Sequence, residues 1–172
     1  MVSDDVRRIL FVCAGNYCRS PMAHGLFETR LTRAGIAGGF EVDSAGTHAW
    51  LAGQAPDPLA RAAVRRLGAR IDHLRARRIT VADCEWADAI LVMDRDNREW
   101  MSSAMTVAGD RLRLLGEFDP DGVTADIADP YGGGPDEFTA TARVIDRCCS
   151  GLLAYLGEGS GDRGGSGHYL AR

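Results

Sequence analysis

Lysine is absent: all 20 basic residues of the 172-residue chain are arginine. That excludes Schiff-base catalysis on a lysine amine and a phosphate loop built on a lysine. Long apolar runs are missing too, and nothing approaches the roughly 18 residues of a membrane span. Nor is there an excess of positive charge. The 24 acidic residues leave a formal net charge of −4, which disfavours general binding to nucleic acid or to anionic membranes. His24, His48, His73 and His168 are scattered and no Cys-x-x-Cys pair exists, so a zinc site is not expected. Met1-Val2-Ser3-Asp4-Asp5 lacks the basic start and small-residue cleavage site of a signal peptide, so the expected location is cytoplasmic. Five cysteines, Cys13, Cys18, Cys84, Cys148 and Cys149, then read as free thiols, one of them a candidate nucleophile. No internal repeat is found.

What is present fits one domain of ordinary composition, 45% hydrophobic and 26% charged. Val6 to Val12 is a mostly apolar run suited to a buried parallel strand. Ser20-Pro21 predicts a helix start, with Ser20 as N-cap and Pro21 at the first helical position, and Gly35 closes that helix. Phe40-Glu41-Val42 reads as a short strand, and the Gly-, Ala- and Pro-rich stretch from Ser44 to Pro56 as a loop. Asp57-Pro58 opens a second helix. Ala89 to Met93 is a buried strand, Asp94 to Ala104 a helix, and Leu112-Leu114-Leu115 a fourth strand. Phe138, Ala142, Ile145, Cys149, Leu152 and Leu156 recur by four and three, the stripe of a final helix. Alternating strands and helices predict an α/β fold: a three-layer αβα arrangement around a central four-stranded parallel sheet. Residues 1–156 form the domain, and the Gly-rich residues 157–172 read as a flexible tail.

The informative segment is Cys13-Ala14-Gly15-Asn16-Tyr17-Cys18-Arg19-Ser20, set between the first strand and the first helix. A loop in that place turns successive backbone N–H groups inward and adds the positive end of a helix dipole, which makes an anion cradle. Gly15 permits close backbone approach, and Asn16 tolerates a left-handed conformation. Arg19 offers a planar fork for two phosphate oxygens. The same donors favour the thiolate of Cys13, a nucleophile for phosphoryl transfer. Taken alone, Cys13 would read as a buried structural thiol; its place between strand and helix favours function.

Cys13-x-Gly15-Asn16-x-Cys18-Arg19-Ser20 resembles the signature loop of the low-molecular-weight protein tyrosine phosphatases, in their bacterial form. Ser44-Ala45-Gly46-Thr47 with Trp50, Ala87 to Asp94, and Asp129-Pro130-Tyr131 resemble the family's second loop, third strand and general-acid loop, in the family's order. The resemblance spans about residues 6 to 156 and implies a phosphatase that forms a cysteinyl-phosphate intermediate without a cofactor. Cys13 is then the nucleophile. The Arg19 side chain and the N–H groups of Ala14, Gly15, Asn16, Tyr17, Cys18 and Arg19 bind the phosphoryl oxygens. Ser20 donates to the Cys13 thiolate, and Asp129 serves first as general acid and then as general base. Asn16 and Ser44 resemble a pair that supports the loop, while Trp50 and Tyr131 resemble the walls of the substrate cleft. Without the other motifs, Asp129 would read as a plain Asp-Pro turn; for Trp50 the alternative is core packing, but a lone Trp in a polar, Gly-rich loop is hard to bury. Cys18 has two readings: a redox guard that forms a reversible disulfide with Cys13, or a small residue filling the helix start. The implied partners are phosphotyrosine proteins, with inorganic phosphate as product and a monomer as the working form.

The chain also departs from the family pattern. Tyr17 replaces a usually aliphatic residue, and Gly132-Gly133 follow Tyr131 where many eukaryotic members have a second tyrosine. Leu74 stands where members often carry a histidine that supports the loop, with His73 one residue earlier. Arg75, Arg77 and Arg78 read as a solvated basic face able to attract acidic phosphoprotein segments. Arsenate reductase is disfavoured because Val92 to Asn97 contains no cysteine. The bulk of Tyr17 argues against a phosphoarginine phosphatase, and the presence of Cys13, Arg19 and Asp129 argues against a non-catalytic binding module.

Overall fold

The computed structural model describes residues 6–158. Strands β1 (Arg7–Cys13), β2 (Phe40–Gly46), β3 (Ala89–Val92) and β4 (Leu112–Leu114) pair in parallel, in the order β2-β1-β3-β4. Helices α1 (Arg19–Arg33), α2 (Pro58–Arg66), α3 (Val81–Trp86), α4 (Arg95–Ala104) and α5 (Pro135–Glu158) cover the sheet. Ile9, Phe11 and Cys13 of β1 face a core shared with α1, α2 and α5, while Leu10 and Val12 face a second core that includes Cys84 and Met101 of α3 and α4. Both faces of β1 are therefore buried, which explains its nearly continuous apolar sequence. With β2 on one side of β1 and β3 on the other, the carboxyl end of β1 opens into a crevice, the usual ligand position in such sheets. Among the described residues no helix is long and apolar enough to cross a membrane.

The stripe from Phe138 to Leu156 is buried as its spacing predicts, and a two-pronged Arg30–Asp146 ion pair, 2.8 Å on each prong, ties α1 to α5. Helix α5 continues through Gly157 and Glu158, so the boundary set at residue 156 falls inside it; 159–172 lie outside the described residues. Three local expectations are corrected. Cys18, without a side-chain cap, precedes α1, and Ser20 lies inside its first turn with its hydroxyl used elsewhere. Ser44, Ala45 and Gly46 are strand, not loop, because pairing with Phe11, Val12 and Cys13 of the central strand overrides their weak strand propensity. Leu115 opens a 3₁₀ turn (Leu115–Phe118) and does not extend β4. Helix α3 went unanticipated, although Thr80 and Asp83 form a reciprocal capping box, with Asp83 accepting from the Thr80 N–H at 2.7 Å.

Candidate active site

Cys13 ends β1, and residues 14–18 turn back into α1. The loop is gripped from outside, where the N–H groups of Thr47 and His48 donate to the carbonyls of Cys13 and Ala14, both at 2.9 Å. A Cβ on Gly46 would lie 2.8 Å from both the Ala14 carbonyl oxygen and the Asn16 nitrogen, so only glycine admits this approach. Asn16 has φ 51°, alone among the described non-glycine residues in being left-handed. Its side chain explains how that conformation persists. Nδ2 donates to Ser20 Oγ at 2.9 Å and to Ser44 Oγ at 3.1 Å, and Oδ1 accepts from the Arg77 N–H at 3.0 Å. Ser20 Oγ in turn sits 3.1 Å from Cys13 Sγ.

The loop's inner face is rich in free donors. Within the described residues none of the backbone N–H groups of residues 14–18 enters a turn or loop hydrogen bond. Arg19 is 3% exposed. Its Nη1 reaches Asp94 Oδ2 at 2.5 Å and the Ile127 carbonyl at 2.9 Å, and its Nη2 reaches Asp129 Oδ2 at 3.2 Å. Nε is buried without a partner. Burial works against the guanidinium charge, but the negative charges of Cys13, Asp129 and Asp94 outweigh it and raise the pKa. Asp94 has a second task, since its Oδ1 accepts from the Asn97 N–H at 2.7 Å and so caps α4.

Above the loop lies a cleft of about 270 Å³. Tyr17, Trp50, Leu51 and Tyr131 wall it, and Asp129 stands at its edge. Tyr17 and Tyr131 meet edge to face at 6.2 Å, and Trp50, 68% exposed, stacks on His48 with centroids 4.2 Å apart. Burial, followed by the charge of Asp57, pushes the Tyr17 phenol up, so the ring stays neutral. Cys18 lines the cleft as well; burial, then the charges of Asp57 and Asp129, pushes its thiol well above the usual range.

The structure thus brings Cys13, Arg19 and Asp129 to one cleft, together with Ala14, Gly15, Tyr17, Cys18, Trp50 and Tyr131. Asn16, Ser20 and Ser44 lie behind the loop and hold it. His73 is not a partner of Asn16; its charge acts on Glu28. Sequence reasoning missed Leu51, which carries no signal beyond its place beside Trp50, and the role of Asp94, hidden because it caps a helix remote in sequence. The arginine cluster is a solvated basic face only in part. Arg75 and Arg78 are exposed, the first turned to the Asp72 and Leu74 carbonyls and the second over the Trp100 ring, whereas Arg77 is half-buried and held by Asp43 at 2.8 Å and by Asp83 at 2.9 Å. Cys84, Cys148 and Cys149 are buried away from the cleft; burial pushes the Cys148 thiol up to about 12. Among the described residues no three His, Cys, Asp or Glu side chains converge to hold a metal ion.

A strand-loop-helix cradle of backbone donors with a cysteine at its base and a buried arginine beside it defines a class of anion-binding sites suited to a phosphoryl group. Residues 8–160 match the family described as low molecular weight phosphotyrosine protein phosphatase. A low molecular weight protein-tyrosine-phosphatase of Streptomyces coelicolor is 35% identical over 155 residues, covering 88% of this chain and 94% of the relative. The crystal structure of a protein tyrosine phosphatase from Entamoeba histolytica superposes with a TM-score of 0.84 at 27% identity, covering 90% of this chain and 99% of that one. The YwlE arginine phosphatase, from Bacillus subtilis, superposes with a TM-score of 0.80 at 29% identity, covering 91% and 97%. The chain belongs to the low molecular weight phosphotyrosine protein phosphatase family, and with it to the hydrolases.

Proposed function

We propose that this protein hydrolyses phosphotyrosine in protein substrates through a cysteinyl-phosphate intermediate. The observation that carries the reading is the set of uncommitted donors around Cys13: the N–H groups of residues 14–18 and the buried, unpartnered Nε of Arg19. A phosphoryl group satisfies them together, and they stabilise its equatorial oxygens as charge shifts during transfer. Cys13 Sγ attacks phosphorus; the S–P bond forms as the P–O bond to the phenol breaks. Asp129 gives its proton to the departing phenolate oxygen, which requires the carboxyl to enter protonated. Asp129, now a carboxylate, then takes a proton from water as that water attacks phosphorus. The S–P bond breaks, releasing inorganic phosphate and the thiolate. Ser20, 3.1 Å from Cys13 Sγ, stabilises that leaving thiolate by donating to it.

The aromatic walls favour an aryl substrate. Tyr17, Trp50 and Tyr131 form a slot in which a phenyl ring makes edge and face contacts while its phosphate reaches the loop. The test is turnover of an aryl phosphate and of phosphotyrosine peptides, with Cys13→Ser as control. Loss of turnover in the variant supports the mechanism, and unchanged turnover sinks it. Equal kcat/KM on phosphoserine or phosphoarginine peptides would sink the substrate assignment.

A further inference from the structure

His24 faces the back of the phosphate loop from α1, outside the cleft and absent from the mechanism above. Its ring is 5% exposed; Nδ1 lies 3.3 Å from Ser44 Oγ, and Nε2 lies 3.4 Å from a carboxylate oxygen of Glu28 one turn later. Ser44 is the residue that receives one of the two Asn16 amide hydrogens. We infer that His24 is a positioning residue for catalysis: it terminates a one-way hydrogen-bond relay that locks Asn16 in its left-handed conformation and, through Ser20, aims a hydroxyl proton at the Cys13 thiolate. The inference rests on the phosphatase reading for its kinetic readout alone.

The direction of the relay follows from counting donors. The Asn16 amide is oriented by the Arg77 N–H, which only its oxygen can accept, so Nδ2 is a donor twice over. One hydrogen goes to Ser44 Oγ and the other to Ser20 Oγ. Each hydroxyl, having accepted, has a single proton left to give. For Ser44 the facing acceptor is His24 Nδ1, which places the imidazole proton on Nε2, where the Glu28 carboxylate takes it. The hydrogen bond from His24 outweighs burial and holds the Glu28 carboxyl below its ordinary range, so that acceptor is ionised. For Ser20 the choices are Cys13 Sγ at 3.1 Å and the Ala45 carbonyl at 3.3 Å, and an ionised thiolate is the stronger acceptor. Remove the acceptor at His24 and the Ser44 proton has no assigned partner. Ser44 then competes to donate rather than accept, Asn16 loses an anchor, and Ser20 loses the contact that fixes its hydroxyl.

The test uses two readouts on the full chain: kcat and KM on an aryl phosphate, and the rate of Cys13 alkylation by iodoacetamide at about pH 6, followed by intact mass. The second needs no turnover. His24→Leu slows alkylation about tenfold and lowers kcat about tenfold with KM within about threefold, the size of one hydrogen bond to a charged group. His24→Asn, which offers an amide oxygen near the place of Nδ1, recovers both rates to within about threefold of the parent. In the Ser44→Ala background His24→Leu adds nothing, because the relay is already cut. Glu28→Ala, on the solvent side of α1, slows both rates about threefold and likewise has no effect once Ser44 is alanine; it decides the matter should His24→Leu fail to fold. Multiplicative effects in the double variants, or alkylation at the parental rate in His24→Leu, overturn the relay. No turnover by the parent chain, with the alkylation pattern intact, refutes the phosphatase reading and leaves the relay standing.

Discussion

Arg19 shows how much one side chain can organise. Its terminal nitrogens join three remote points, Asp94, the Ile127 carbonyl and Asp129, and its Nε is left for the anion. A lysine provides a point charge without the fork, so Arg19→Lys keeps the charge and loses the geometry. Its kcat on an aryl phosphate is expected to fall by about 10² or more, measured by steady-state kinetics, while circular dichroism shows an unchanged fold. A decrease of less than about threefold would mean that charge alone suffices. The two readings of Cys18 also separate at this scale. As a guard, its thiol condenses with a sulfenic acid on Cys13, releasing water and forming a disulfide that a thiol reductant reverses. Under dilute peroxide the parent should recover activity with reductant while Cys18→Ser does not; equal recovery leaves Cys18 as packing. Cys13 and Arg19 were legible in the sequence because both sit in one contiguous strand-to-helix segment. The partners of Arg19 were not, because Asp94 lies 75 residues away and a carbonyl such as that of Ile127 carries no side-chain signature.

Elements meet at Asp94, where one carboxylate caps α4 through Oδ1 and fixes Arg19 through Oδ2. The two duties come apart on substitution. Asparagine caps helices about as well as aspartate, so Asp94→Asn should cost the cap less than about 0.5 kcal/mol, and a loss of about 2 kcal/mol in urea unfolding then reports the charge withdrawn from the buried Arg19. The same change removes the charge that holds the guanidinium, and kcat should fall about tenfold. Asp94→Ala removes both duties and should lose about 1 kcal/mol more than Asp94→Asn; equal losses would mean that the cap contributes nothing to stability. The elements whose signal is local were readable: the apolar run of β1, the Asp57-Pro58 start of α2 and the stripe of α5. Those decided by tertiary pairing were not. The carboxyl half of β2 has the composition of a loop, and it is a strand because β1 offers it a ladder and Gly46 lets the phosphate loop close against it.

The whole molecule is tied together by arginine–carboxylate pairs, and several are two-pronged, among them Arg30 with Asp146, Arg77 with Asp83 and Arg147 with Asp119. Among these pairs, Arg147 with Asp119 has the most deeply buried carboxylate. The Asp119 side chain is wholly buried and receives two bonds from Arg147, at 2.7 and 2.9 Å, anchoring the segment after β4 to α5. That segment leads on to Ile127 and Asp129, so the anchor connects global stability to the catalytic cleft. Hydrogen bonds from Arg147, working against burial, hold the Asp119 carboxyl well below the usual carboxylate range. Asp83 is lowered too; there burial is the largest influence and raises, but hydrogen bonds and charge from Arg77 overcome it. Because these folded-state values lie below the unfolded ones, the unfolded chain binds protons first as the pH falls. Their stabilisation is therefore fully present above about pH 5 and is lost progressively below about pH 4, as the pH descends toward the folded values. Asp119→Asn removes one such group. At neutral pH it should lower stability by about 2 kcal/mol, since it leaves Arg147 with a neutral partner. Below about pH 4 its stability should fall less steeply than that of the parent, the two curves converging as the parent's own Asp119 takes up its proton. Urea unfolding across that range decides it, and parallel curves would show that Asp119 does not carry the acid sensitivity of the fold.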